Sequence, residues 1–492
     1  MGKREVLKLC VDSGFFLDRG MLDFFVNLDI KEVELIIGKL KNLGVIEGIL
    51  SLDVFRRYKD RLGVEDKGLE IRNSGIKVLR DIKVRSGKIT SEDFMGYFRS
   101  RFENLRDILI GKGLGDLISI RRIGFGNGVY VVIGMVYSKR ITKNRNLLIE
   151  VEDLTGRGIV LVNRENKQLF ERAQNLLLDD VVAFKCSGSS KMLFANDFIY
   201  PDSELKVEKF GDSDEFVAFV SDLHIGSKNF LEGNLMRFVD WVNGEVGDDR
   251  QKGIASKVKY LILAGDNIDG VGVYPDQERF LAIKGCRKQY DKLGEILGRI
   301  RKDVEIIMCP GLHDAVWVGE PMPALSRKWV QGLKNMTNLR LVSNPATVNI
   351  GGLDIMIYSG GSFNQFENFI IGNGNIIEEI LKRRHLAPVY GEMDVVPNKE
   401  GDDLVIGDLP DVFFVGGRHK AEVKVYNNIL TISGSCFQSR TDFEAKVGAE
   451  VDPCKVSILN LKSREVKILD FSSGEVVWEK GDGLSCEIGG RK

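Results

Sequence analysis

An aspartate and a histidine one residue apart, Asp222 and His224 in FVAFVSDLHIG (216–226), follow an apolar run that reads as a buried strand. Open α/β sheets take ligands just outside the carboxyl ends of their strands, and a carboxylate with an imidazole there can hold a metal. One D-x-H is a weak signal, because a surface aspartate near a histidine is commonplace. The pattern recurs, however. YLILAGD (260–266) ends in Asp266, VEIIMCPGLHD (304–314) ends in His313 and Asp314, and DVFFVGGRH (411–419) ends in His419. Four strand-like runs that each deliver Asp or His past their ends point to one metal or catalytic site.

Such a set suits phosphodiester hydrolysis, which needs an activated water and charge neutralisation at phosphorus. Two ions about 3.5–4 Å apart meet both needs. Mixed carboxylate and imidazole donors favour manganese, iron or zinc over calcium. Asp266, at the end of a central strand, is placed to bridge two ions. A histidine outside the ligand set, such as His313 beside Asp314, could protonate the leaving oxygen.

The elements that must position these residues are read from periodicity. From 212 to 470 strands and helices alternate, with Val423–Val425, Ile429–Ser433, Val456–Leu461 and Glu465–Leu469 as antiparallel strands. A mixed β-sandwich with flanking helices is the expected architecture, followed over 471–492 by a C-terminal strand and tail. Residues 117–205 carry short β-rich runs, with Leu147, Ile149 and Val151 alternating with Glu150 and Glu152. Four or five strands over this length fit an OB-fold barrel, with a short helix expected at Ala173–Leu178 before the final strands. The segment Ser138–Asn146 is expected as a loop. Its Lys139, Arg140, Lys143 and Arg145 suit a single-strand DNA surface, or simply a charged hairpin tip. Upstream, 90–116 holds a connecting helix, Ser91–Ile110, with Thr90/Ser91 ahead of Glu92 and Asp93 as its N-terminal signal. Residues 58–89 read as a charged linker. Residues 1–57 read as a small helical module, with Val33, Ile36, Ile37 and Leu40 on one helix face. It is either a winged-helix-like docking unit or an ordinary helical domain.

Composition narrows the class. At 492 residues, 43% hydrophobic and 29% charged, the chain is expected to be a multidomain globular protein without a membrane span. Its charged N-terminus lacks a signal core, so a cytoplasmic location is expected. The seven cysteines show no CxxC spacing and fit reduced thiols rather than structural zinc. A net charge of −1 excludes a wholesale polybasic nucleic-acid binder but leaves local basic patches open.

The order D-x-H, G-D, G-x-H-D and G-x-x-H resembles the calcineurin-like metallophosphoesterases. With the barrel ahead of it, and with FVSDLHIGSKNF, LILAGDNIDGVGVYP and LKRRHLAPVYG, the chain resembles the small subunits of archaeal family D DNA polymerases over about residues 90–470. The resemblance implies a heteromeric replicative polymerase. A separate large catalytic subunit synthesises DNA, and the small subunit carries a 3′-to-5′ proofreading exonuclease. Carried over, Asp222, His224 and His419 match one metal's ligands, with Asp266 shared. The family's G-N-H-D reads Gly311-Leu312-His313-Asp314 here, its Y-H-G reads Tyr358-Ser359-Gly360, and its G-H-x-H reads Gly416-Gly417-Arg418-His419. Leu312, Ser359 and Gly417 thus stand where the second metal's own ligands belong.

The expectation is one divalent metal, manganese first, with iron, zinc or magnesium as alternatives, and no second ion. The nuclease is then impaired or lost, and the subunit mainly positions DNA, both primer-template and single-stranded. Asn364, Gln365, Asp314 or His385 could stand in for missing ligands. An active proofreading exonuclease and a free-standing phosphodiesterase are the alternatives. Arg383, Arg384 and His385 read as a basic DNA-contact patch, or His385 as the cap of a helix end.

Overall fold

The computed structural model describes residues 3–17, 21–22, 25, 30–42, 48–50, 55, 75–83, 87–370 and 375–478. The chain forms two compact units, Met1–Ile76 and Lys77–Lys492.

In the first unit, helices Lys3–Asp12 and Ile30–Asn42 accompany a parallel pair of short strands, β1 (Phe15–Leu17) and β2 (Gly48–Leu50). The i, i+3, i+4, i+7 spacing puts Val33, Ile36, Ile37 and Leu40 into one buried cluster with Val6, Cys10 and Phe15. The strand pair was not expected in this module.

The 58–89 stretch is not wholly a linker. Residues 58–74 and 84–86 lie outside the described residues, but Ile76–Asp81 is a strand, β3, at the edge of a six-stranded sheet. The segment is fastened beyond the strand ladder, since Ile82 N–H donates to Ser343 Oγ at 2.7 Å and Ser343 N–H to Asp81 Oδ1 at 2.9 Å. Partners about 260 residues away are invisible to a local charge count.

Helix Ser91–Gly111 starts where Thr90 puts its N–H and hydroxyl on the Asp93 carboxylate, at 2.8 and 2.7 Å. Its Phe102, Leu105 and Leu109 pack on Val131, Ile133 and Met135 of a closed five-stranded barrel. The barrel strands are β4 (Gly128–Ile141), β5 (Leu147–Asp153), β6 (Gly156–Val162), β7 (Val181–Ser189) and β8 (Met192–Ile199). β6 and β8 close it in parallel, and Val132, Ile149, Val151, Val160, Phe184 and Phe198 fill it. The barrel helix is Lys167–Gln174 rather than 173–178, because Asn166 accepts from Leu169 N–H and starts it earlier. The expected Ser138–Asn146 loop is mostly strand at its start. β4 runs to Ile141, so Lys139 and Arg140 sit on the ladder opposite Ile149 and Leu148.

Two sheets build the remainder. The first runs β12-β11-β10-β9-β18-β19-β20, with β9 (Phe216–Val220), β10 (Val258–Ala264), β11 (Glu305–Cys309) and β12 (Leu339–Leu341) parallel. Strands β18 (Lys455–Asn460), β19 (Val466–Asp470) and β20 (Val477–Trp478) are antiparallel beside them, and 479–492 lie outside the described residues. The second sheet runs β16-β17-β15-β14-β13-β3, from β13 (Ala346–Ile350), β14 (Leu353–Tyr358), β15 (Val412–Val415), β16 (Glu422–Tyr426) and β17 (Ile429–Ser433).

Alternation along the strands assigns the layers. Phe216, Ala218 and Val220 join Leu235, Phe238 and Trp241 of the outer helix Glu232–Val242, while Phe219 turns inward onto Phe414 of β15 at 4.9 Å between ring centroids. Phe413 and Val415 turn the other way, onto Ile377, Ile380 and Leu381 of helix Ile376–Arg383. The result is helices, sheet, sheet, helices. Both faces of β9, β11 and β15 are buried, which is why their sequences are continuous apolar runs.

Candidate metal centre

The C-terminal ends of β9, β10, β11 and β15 converge, and each hands over a short loop. Asp222, His224, Asp266 and His419 all have left-handed backbones, with φ of 53, 49, 46 and 54°. Non-glycine residues rarely sit there, and each costs of the order of 1 kcal/mol. Four at one place mark a site where geometry overrides local preference. Glycine is required beside them. A Cβ on Gly311 would come within 2.3 Å of Asp266 Oδ1, and one on Gly416 within 2.3 Å of the Ala264 carbonyl.

One oxygen or nitrogen each from Asp222, His224 and His419 lies within 4.8 Å of the others. Asp222 Oδ2 accepts from Gly417 N–H at 2.9 Å, and His419 Nε2 is 3.6 Å from Asp222 Oδ1. His224 Nδ1 is 3.0 Å from Asp269 Oδ1, which leaves Nε2 as the ligating atom. Asp222 Oδ1 and His224 Nε2 are buried and have no hydrogen-bond partner. Buried polar atoms without partners are costly, and two aimed into one three-donor group fit a divalent cation bound there. A second group, His224, Asp269 and His313, is also within reach of one ion, but it is already knit by the His224–Asp269 contact. Asp266 belongs to neither group. Its Oδ1 accepts from His313 N–H at 2.9 Å, and its carbonyl accepts from His224 N–H at 3.0 Å.

His313 stacks edge-on to His224 at 4.7 Å and brings Nδ1 within 2.8 Å of the Asp269 carbonyl. Donation there leaves Nε2 free to exchange a proton. Burial works against its charged form, but Asp266, the Asp269 carbonyl and the nearby carboxylates outweigh burial and raise its pKa. Asp314 is different. Oδ2 accepts from Gly311 N–H, Asn267 N–H and Asn267 Nδ2 at 2.9, 3.2 and 3.0 Å, and Oδ1 from Tyr290 hydroxyl at 2.8 Å. Its carboxylate ties the loops of Asn267, Gly311 and Tyr290 together beside His313. Burial first, then the Asp266 charge, push its pKa up to about 6.

Ser359, at one of the changed positions, belongs to a hydrogen-bonded group of its own. Ser359 donates its N–H to Asn344 Oδ1 at 2.8 Å, and Asn344 Nδ2 returns a bond to Ser359 Oγ at 2.6 Å. Beneath them Glu320 is buried, accepting from Tyr358 hydroxyl at 2.5 Å and lying 3.3 Å from Asn344 Nδ2. Burial pushes its pKa up to about 7. Leu312 is half-buried, and Gly417 has φ of 74° with a would-be Cβ 2.8 Å from the Ser359 carbonyl. Of the possible stand-ins, Asp314 is tied to the neighbouring loops as above and His385 is held elsewhere. The Asn364 side chain lies outside the described residues, and Gln365 has a buried Oε1 without a partner.

The basic patch expected at 383–385 does not exist as a surface. Arg383, Arg384 and His385 are 4, 5 and 1% exposed. Arg383 pairs with Glu379 and Asp180 and donates to the Asn175 carbonyl, so it clamps the barrel to helix Ile376–Arg383. Arg384 donates to the Ile406 and Gly407 carbonyls. His385 Nδ1 accepts from Ala387 N–H at 3.0 Å, so Nε2 carries the proton it gives to Asp402 at 2.8 Å. Arg384, not His385, is the cap of the helix end. On the barrel, Arg140, Lys143 and Arg145 are exposed, whereas Lys139 gives its ammonium to the Gln174 and Leu176 carbonyls.

Two contributors escaped the sequence. Asp269 lies three residues past Asp266, and its spacing alone could have flagged it. Glu444, 2.7 Å from His419 Nδ1, sits on helix Asp442–Val447 with no local signal for the contact.

Residues 217–424 match the family model for the B subunits of DNA polymerases alpha and epsilon. The DNA polymerase II small subunit of Methanothermobacter thermautotrophicus is 37% identical over 411 residues, 82% of this chain and 84% of that protein. The chain belongs to the DNA polymerase II small subunit family. The family's Pyrococcus furiosus member is 33% identical over 83% of this chain and 68% of its own length. Among solved structures, a novel archaeal phosphodiesterase matches at 16% identity with a TM-score of 0.27, over 51% of this chain and 98% of its own. Small-subunit membership agrees with the resemblance carried by FVSDLHIGSKNF, LILAGDNIDGVGVYP and LKRRHLAPVYG. No helix among the described residues is long and apolar enough to cross a membrane.

Proposed function

We propose that this chain is the non-polymerising partner of a separate large catalytic subunit in an archaeal replicative DNA polymerase, and that its calcineurin-like site retains one metal half. The observation that carries the reading is the contrast within the site. Asp222 Oδ1 and His224 Nε2 are buried without partners on one side, while Asn344 and Ser359 satisfy each other on the other. Asp222, His224 and His419 would hold the ion, manganese first and iron, zinc or magnesium otherwise. Asp266 stands on the adjoining loop.

A bound cation supplies Lewis acidity and an activated water. The chain's own groups do the rest. His313 holds a proton at Nε2 for the leaving oxygen. Asp269 orients His224, and Gly417 N–H fixes Asp222. With one half missing, 3′-to-5′ exonuclease turnover is impaired or lost, and the subunit acts mainly as scaffold and DNA-positioning element. The raised pKa of His313 and its place beside His224 favour the second reading, a slow but active exonuclease.

The five-stranded closed barrel supports an OB-fold over 117–205, with Arg140, Lys143 and Arg145 as its DNA-facing cations. The two-sheet stack supports a phosphoesterase domain over 212–470. Residues 1–57 form a separate module, either for docking or as an ordinary domain.

The test is co-purification with a large subunit, followed by a single-strand exonuclease assay in manganese against Asp222→Ala. Equal, negligible degradation by both supports the scaffold reading. Degradation by wild type alone supports the active exonuclease.

A further inference from the structure

We infer that Glu444 is a positioning residue for His419, completing a carboxylate–imidazole–metal relay at the retained half. The inference rests on the one-ion reading above. His419 Nδ1 is 2.7 Å from Glu444 Oε1, and both side chains are largely buried. Donation from Nδ1 fixes the tautomer and leaves the Nε2 lone pair facing Asp222 Oδ1, 3.6 Å away.

Glu444 is itself immobilised. Its Oε2 accepts from both the N–H and the hydroxyl of Thr441 at 2.7 Å, and its own N–H donates back to Thr441 Oγ1 at 3.3 Å. This capping box starts helix Asp442–Val447, so the bond that begins the helix also aims the carboxylate. The His419 backbone is pinned from the same side, its carbonyl accepting from Asp452 N–H at 2.8 Å. Ring, carboxylate and backbone therefore have one arrangement, in which His419 is ready to ligate. Partners of this kind orient a ligating imidazole and raise its basicity, and their loss weakens metal binding about 10–100-fold.

The experiment is Mn²⁺ titration of the full chain, with free Mn²⁺ read by electron paramagnetic resonance, for wild type, Glu444→Gln, Glu444→Ala, Thr441→Val and Asp222→Ala. The inference expects about a 10–100-fold weaker affinity for Glu444→Ala. Glu444→Gln, which still accepts from Nδ1–H but lacks the charge, falls between. Thr441→Val, which keeps the carboxylate, loses less than Glu444→Ala. In ¹⁵N-histidine spectra of the chain loaded with diamagnetic Zn²⁺, simplified by there being four histidines, His419 shows a slowly exchanging Nδ1–H in wild type and loses it to solvent exchange in Glu444→Ala. If Glu444→Ala does not fold, the isosteric Gln variant decides. Wild-type affinity in both Glu444 variants, with binding abolished in Asp222→Ala, overturns the role of Glu444 and leaves the one-ion reading standing. No binding by wild type itself overturns both.

Discussion

Replacing Asp402 by alanine should destabilise the second unit more than any exposed substitution, because Asp402 anchors the polar core under the barrel. Its side chain is fully buried, and Arg101 beside it is 1% exposed. Arg101 Nε and His385 Nε2 each lie 2.8 Å from Asp402 Oδ2, and Leu404 N–H donates to Oδ1 at 3.0 Å. Truncation leaves the guanidinium hydrogen-bonded to the Pro388 carbonyl and Tyr97 hydroxyl, over the Tyr97 and Phe98 rings, with Asp179 as its nearby carboxylate. Removing one partner of a buried ion pair costs about 3–5 kcal/mol. Asp402→Asn, which keeps an acceptor, should cost less, about 1–3 kcal/mol. The double variant Arg101→Met/Asp402→Leu should recover most of the loss, since apolar replacement removes the stranded charge.

The assay is urea unfolding monitored by tryptophan fluorescence, with midpoints compared at equal slope. Its pH dependence has a defined sign. Burial, then Arg101, lowers the pKa of His385, so the unfolded chain takes up a proton that the folded chain refuses. That contribution is intact above the ordinary histidine pKa of about 6.5 and is lost as pH falls below it. A loss under about 1 kcal/mol for Asp402→Ala, with the double variant no better than the single, would refute the buried-network account.

The buried Glu320 has a raised pKa, so its folded form holds a proton that the unfolded form has released. Its cost grows from about pH 4.5 to about 7 and then levels off. Glu320→Gln should match wild type at pH 4.5 in thermal unfolding and be more stable at pH 8, by of the order of 2–3 kcal/mol. Equal stability at pH 8 would count against it. Lys143→Ala/Arg145→Ala should weaken single-strand binding and lower the salt slope by about one to two charges. Arg383→Ala should instead lower stability, as fluorescence anisotropy beside urea melts would distinguish. Gly417→His should not restore a second ion by itself. Its φ of 74° and the Ser359 carbonyl 2.8 Å from a Cβ force the loop to move, and manganese counting after the substitution checks this.

What the sequence made legible was whatever is local. Apolar runs ended where the strands end, and Asp222, His224, His313 and His419 were readable because each sits just past such a run. Long-range pairings were not. Glu444 reaches His419 across 25 residues, and β3 joins its sheet through contacts about 260 residues away. Arg383-Arg384-His385 misled for a related reason. A string of cations looks like a surface until Asp180, Glu379, Asp402 and the backbone carbonyls that bury it are brought alongside. Asp314 follows His313 in the sequence, but its structural ties to Asn267, Gly311 and Tyr290 could not be read from that adjacency.

Under the proposed one-ion site, with Asn344 and Ser359 closing the other half, tightly bound manganese in the purified protein comes to one ion per chain and to none in Asp222→Ala. Two tight ions per chain would rule the one-ion site out.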